Sequence, residues 1–187
     1  MEGRIKTALE KAMERAQSFP EVSREEIARI ENMPRGKSIG ASFMNNRNFN
    51  LKEALAEIPE GIRKYAVEGV QEILLMNISL SSEEDDDSAR RAMEGVMVIK
   101  RDRAQVSDVL GELDHLLQYY RQAMDQTQER FKKEYEMRSR SARSQGGRER
   151  SMERMEFREE WANVVRQLNS RFEANLAQLK DKVRKID

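Results

Sequence analysis

Few residues of this chain have side chains suited to catalysis. His115 is the single histidine, and cysteine is absent. An imidazole is the usual carrier of protons near neutral pH, and a thiolate the usual soft ligand or nucleophile. Glu112 and His115 stand three residues apart, the Glu-x-x-His spacing with which helical bundles present metal ligands. A di-metal site of that kind needs a second such pair projecting inward, and the chain has none. Gly36-Lys37-Ser38 matches the end of a phosphate-cradling loop. The full motif needs a glycine five positions earlier, where Glu31 stands, and a buried strand before it. The reading is an absence of catalytic, cofactor-binding and metal-ligating residues, and so no enzyme.

Arginine is the residue type most clearly concentrated in one place. Arg138, Arg140, Arg143, Arg148 and Arg150 face only one acid, Glu149, across thirteen residues that also hold Gly146-Gly147. Guanidinium groups in such a cluster suit the phosphates of nucleic acid or an anionic surface. No aromatic residue interleaves them, so there is no stacking platform for single strands. The plainer reading is a solvated turn whose cations complement the C-terminal end of a helix. Met137, Met152 and Met155 gather near the same place, with Met93 and Met97 further back. Methionine adapts to varied apolar partners, and it also fills ordinary gaps.

These groups have to be placed by long helices. From Ala89 onward the chain repeats in threes and fours: Ala92, Val96, Ile99, Arg103, Val106, Leu110, Leu113, Leu117, Tyr120, Met124, Thr127, Phe131. That is the seam of a helix laid along another helix. No proline interrupts it, so one helix is expected from about Ser82 to Arg143, weakened only at Gly95 and Gly111. At 1.5 Å per residue it is about 90 Å long. His115 and Glu112 fall opposite its seam. A second stretch carries Trp161, Val165, Leu168, Phe172, Asn175, Leu179, Lys182 and Ile186 at the same spacing. Reversal at Gly146-Gly147 pairs the two, placing Trp161 beside Phe131 and Ile186 beside Val106. Val109, Leu116 and Ala123 widen the apolar face at seven-residue intervals, which calls for a third helix or a second copy of the chain.

The remaining elements are shorter. An amphipathic helix over 3–17 carries Ile5, Leu9, Ala12, Met13 and Ala16. Ser23 and Glu26 form a capping box for the next helix, which Pro34 is expected to close. Two glycines, two serines and three asparagines make 35–48 read as a loop. Asn50 caps a further helix, and Pro59 opens another whose stripe, Ile62 to Leu74, covers the seam from Ala89 to Val106. Segments 73–80 and 96–99 are apolar enough to be short strands as the competing reading. The acidic run Glu83-Glu84-Asp85-Asp86-Asp87 sits at the start of the long helix, where its dipole is positive.

Composition agrees with rods. Hydrophobic residues are 38% and charged residues 36%, with 34 acids against 34 bases. That balance excludes a simple polycation or polyanion. No apolar run reaches the length of a membrane span, and a cytoplasmic location is expected. The expected fold is all-α: a long antiparallel coiled-coil hairpin with a small helical bundle on its base. Its organisation is a helical pair over 1–34, a linker over 35–49, and a bundle with hairpin over 50–187 whose tip lies near 139–151. The expected function is binding of partner proteins along the helices, as adaptor, scaffold or chaperone, with self-association into a homodimer as one form. In layout such a hairpin resembles small bacterial coiled-coil chaperones and adaptors of export systems. Polyanion binding through the arginine tip is the alternative, and nucleic acid is not favoured.

Overall fold

The computed structural model describes residues 23–81, 87–143 and 150–187. They form six helices: α1 (Arg24–Asn45), α2 (Leu51–Ala56), α3 (Glu60–Met76), α4 (Asp87–Ile99), α5 (Arg103–Arg143) and α6 (Arg150–Lys185). No strand occurs among these residues, so the competing strand reading of 73–80 and 96–99 is set aside. The helix expected over 3–17, the acids Glu83 to Asp86 and the Gly146-Gly147 pair lie outside the described residues.

Helix α1 begins where its capping box places it. The Ser23 hydroxyl accepts from the Glu26 amide, and Glu26 accepts from the Ser23 amide at 2.9 Å. It does not end at Pro34. The helix runs on to Asn45, so the linker expected over 35–49 is helical for most of its length. An interior proline costs about 3 kcal/mol in a bare helix. Here tertiary packing offsets that cost, because the residues beyond Pro34 seat α1 on α3. A Cβ on Gly36 would overlap the Ala66 carbonyl oxygen and stand 2.6 Å from its carbon. A Cβ on Gly69 of α3 would overlap the Met33 carbonyl oxygen and lie 2.9 Å from the Lys37 nitrogen. Only residues without side chains fit there, and Gly36, Gly40 and Phe43 are the buried face of α1.

The long helix expected over 82–143 is two helices. Backbone hydrogen bonding breaks at residues 100–102 between α4 and α5. Asp102 starts α5: its carboxylate accepts from the Gln105 amide at 3.0 Å, and its carbonyl accepts from Val106 at 3.1 Å. The freed amides of Arg101 and Asp102 both donate to the Asp187 carbonyl oxygen, at 3.0 and 3.1 Å. The Lys100 ammonium donates to the Ile186 carbonyl oxygen. The heptad register passes through the break because both halves bury the same kind of face, but the directions of α4 and α5 are set separately. Gly95, expected to weaken the rod, is a point of close approach. A Cβ there would stand 2.7 Å from Leu74 and 2.8 Å from Phe43.

The main core gathers Leu51, Leu55, Ile58, Val70, Leu74, Leu75 and Ile78 with Ala92 and Val96 of α4, Val106 to Leu117 of α5, and Leu176, Leu179 and Val183 of α6. Arg91 ties α4 to the end of α1. Its guanidinium lies 4.2 Å from the Phe43 ring centre and donates to the Phe43 carbonyl at 2.6 Å. Arg63 does the same for α2, donating to the Ile58 carbonyl at 2.8 Å and the Ala56 carbonyl at 3.2 Å.

Candidate functional site

Two regions offer surfaces for binding, the paired helices α5 and α6 and the junction around residues 100–102. Contacts along the first descend α6 as they climb α5, so the two run antiparallel. Lys182 pairs with Glu112 at 2.7 Å. The Tyr120 hydroxyl donates to Asn169 at 2.7 Å, and its ring meets Phe172 edge-on at 5.2 Å. Phe131 stands 5.3 Å from Trp161 and 5.1 Å from Phe157. Tyr135 meets Phe157 at 4.7 Å, and Arg138 pairs with Glu160 at 2.7 Å. Offset and edge-on rings of this kind add about 0.5–1.5 kcal/mol per pair beyond their burial. Phe157 and Tyr135 were missed in the seam, although each lies one helical step of four from a residue assigned to it.

The broad stripe Val109, Leu116 and Ala123 is half-buried. Leu116 and Ala123 pack against the cluster of Tyr120, Met124 and Phe172, and so does Leu80 from the connection after α3. Part of the width thus serves the chain's own 77–81 segment. Tyr119, its ring 5.7 Å from that of Phe172, is 65% exposed, and outside the seam Met137 is 62% and Met155 65% exposed. Met137 lies two residues beyond Tyr135 and Met155 two before Phe157, so the Tyr135–Phe157 contact brings both methionines to one level of the helix pair. His115 is exposed.

Of the arginine cluster, Arg138 is engaged with Glu160, and its guanidinium lies 5.9 Å from the Tyr135 ring centre. The side chains of Arg140, Arg143, Arg148, Arg150 and Met152 lie outside the described residues. Gly36-Lys37-Ser38 sits inside α1, where its amides belong to the helix, and Lys37 pairs with Glu72 at 2.7 Å.

The junction was not foreseen. A cleft of about 610 Å³ opens between the first turns of α3, residues 99–101 and the end of α6. Arg63, Lys64, Lys100, Arg101, Arg184 and Lys185 line it, with the acids Glu60, Glu68 and Asp187 and apolar walls of Val67, Ile99 and Ile186. Burial lowers the Lys100 ammonium below the ordinary lysine range, against the opposing pull of the Asp187 carboxylate. The sequence carried one signal for this site: Asp102 with Gln105 is a capping pair, and it follows the polar Lys100-Arg101.

No three acidic, histidine or cysteine side chains among the described residues are grouped to hold a metal ion. No described helix is long and apolar enough to cross a membrane. Comparison with curated proteins and with solved structures finds no match. A family profile matches residues 52–185, from α2 to the last turn of α6. The chain therefore belongs to the family described as "Family of unknown function (DUF6657)".

Proposed function

We propose that this is an interaction protein without catalytic activity, in which α5 and α6 act as a coiled-coil hairpin and hold a partner protein on their outer faces. The observation that carries this reading is the pair Met137 and Met155, brought to one level and each about two-thirds exposed, with Tyr119 further along the same helices. Large apolar side chains on an otherwise charged rod are suited to being covered by a partner, and methionine adapts to the partner's shape.

The test is retention of proteins from the native cell on the wild-type chain and on Tyr119→Glu/Met137→Glu, with folding checked by circular dichroism. A protein held by the first and released by the second supports the proposal. Equal retention on both counts against it. Binding to heparin that disappears in Arg140→Glu/Arg143→Glu/Arg148→Glu, with no protein retained, supports polyanion binding through the tip in its place.

A further inference from the structure

The cleft at the junction has a charge pattern that the fold does not use up. Lys64 is paired with Glu25 at 3.1 Å, and the Arg184 guanidinium with Asp181. Arg101 lies 3.8 Å from the Asp187 carboxylate. Arg63 and Lys185 have no carboxylate partner among the described residues, and Lys100 shares the charge of Asp187 with Arg101. Arg63 donates only to the carbonyls of Ala56 and Ile58, Lys100 only to that of Ile186, and Lys185 sits on the last turn of α6. On the acidic side, Glu68 is already 2.8 Å from Arg29. A half-buried ammonium that hydrogen-bonds only a carbonyl and shares one carboxylate with a second cation gains from a further anion brought to it, because screening is weaker there than at an open surface.

We propose that this cleft binds an acidic peptide segment of a partner protein, with Lys100, Lys185 and Arg63 receiving its carboxylates. This rests on the interaction reading above and gives it a second contact. The volume falls in the range of sites that enclose small ligands or short segments. Val67, Ile99 and Ile186 form walls against which the methylene stems of glutamate and aspartate pack. A nucleic-acid backbone fits less well. Glu60, Glu68 and Asp187 line the same cleft and repel closely spaced phosphates, whereas carboxylates on separate side chains can be placed around them.

The test is fluorescence anisotropy of the full chain with a labelled peptide of five alternating glutamates and leucines. A single-stranded oligonucleotide and inorganic polyphosphate serve as competing ligands. The wild type is expected to bind the peptide at low salt, and Lys100→Gln/Lys185→Gln to weaken it by about tenfold or more, as loss of charge-assisted hydrogen bonds does. Lys185→Gln alone, which touches no other described residue through a hydrogen bond or ion pair, is expected to weaken it by about threefold without changing the melting temperature. Lys132→Gln/Lys133→Gln, on the exposed side of α5, leaves binding unchanged. No binding by the wild type, or equal binding by the double variant, overturns the proposal. Tighter lysine-dependent binding of the oligonucleotide overturns the peptide as ligand. A partner that is lost in Tyr119→Glu/Met137→Glu but retained in Lys100→Gln/Lys185→Gln removes the cleft and leaves the interaction reading standing.

Discussion

The crossing of α1 with α3 and the pairing of α5 with α6 solve the same problem in opposite ways. At the crossing, Gly36 and Gly69 remove side chains so that one backbone rests on the other. Along α5 and α6, Phe131, Tyr135, Phe157 and Trp161 hold the helices together with ring contacts of 4.7–5.3 Å. A backbone contact has no rotamer to relax and tolerates no added atom. A ring contact spreads its energy over many atoms and can lose one ring by local fraying. The two regions should therefore respond differently to damage, the crossing globally and the rod locally.

The largest effect should come from adding a methyl group at the crossing. Gly36→Ala and Gly69→Ala are each expected to destabilise the fold by about 3 kcal/mol, the upper end of overpacking costs, in spite of alanine's better helix propensity. Gly111 has nothing within 4 Å of a built Cβ, so Gly111→Ala should stabilise by about 0.5–1 kcal/mol. Urea midpoints of the three variants decide this, and a common sign would break the contrast. Next is Phe131→Ala, expected to cost about 3 kcal/mol where it acts. Amide exchange should quicken over 124–138 and 155–168 while α3 keeps its protection. Loss of protection throughout would mean the rod and the bundle unfold as one.

Smaller effects sharpen the picture of the rod. Tyr120→Phe removes the hydrogen bond to Asn169 and should cost about 1 kcal/mol. Burial, with the charge of Glu173 adding to it, raises the Tyr120 hydroxyl above its ordinary value of 10.0. The folded state then keeps a proton that the unfolded state has lost. Its contribution is fully present below pH 10.0 and disappears as pH rises through the raised value. Alkaline unfolding should show this loss in the wild type and not in Tyr120→Phe. Smallest is the exposed Lys182–Glu112 pair: Glu112→Gln should change stability by about 0.5 kcal/mol or less, and less again in 1 M salt.

Helix periodicity made much of this fold legible. The seam residues Val106, Leu110, Leu113, Leu117, Tyr120, Met124 and Phe131 are all buried. Ser23 with Glu26, and Asn50 with Glu53, cap the helices where their spacing says they should. Three readings failed, each for a physical reason. Residues 35–48 looked like a loop because glycine and serine are weak helix formers, yet Gly36 and Gly40 are there to let α3 approach. Pro34 looked like a stop because local propensity says so, and packing further along overrode it. The break at 100–102 was hidden because an apolar repeat reports which face is buried, not whether the hydrogen-bonded ladder is continuous. The cleft followed from that break and was hidden with it.

By itself, the sequence determined the helical class, the buried faces of the long helices and the caps at Ser23 and Asn50, because these depend on spacing within one helix. The tertiary structure alone decided which glycines are contact points, where the long helix divides, and which of the many lysines and arginines are left without a carboxylate. Those depend on what a second helix brings within a few ångströms, and periodicity along one chain carries no record of that distance.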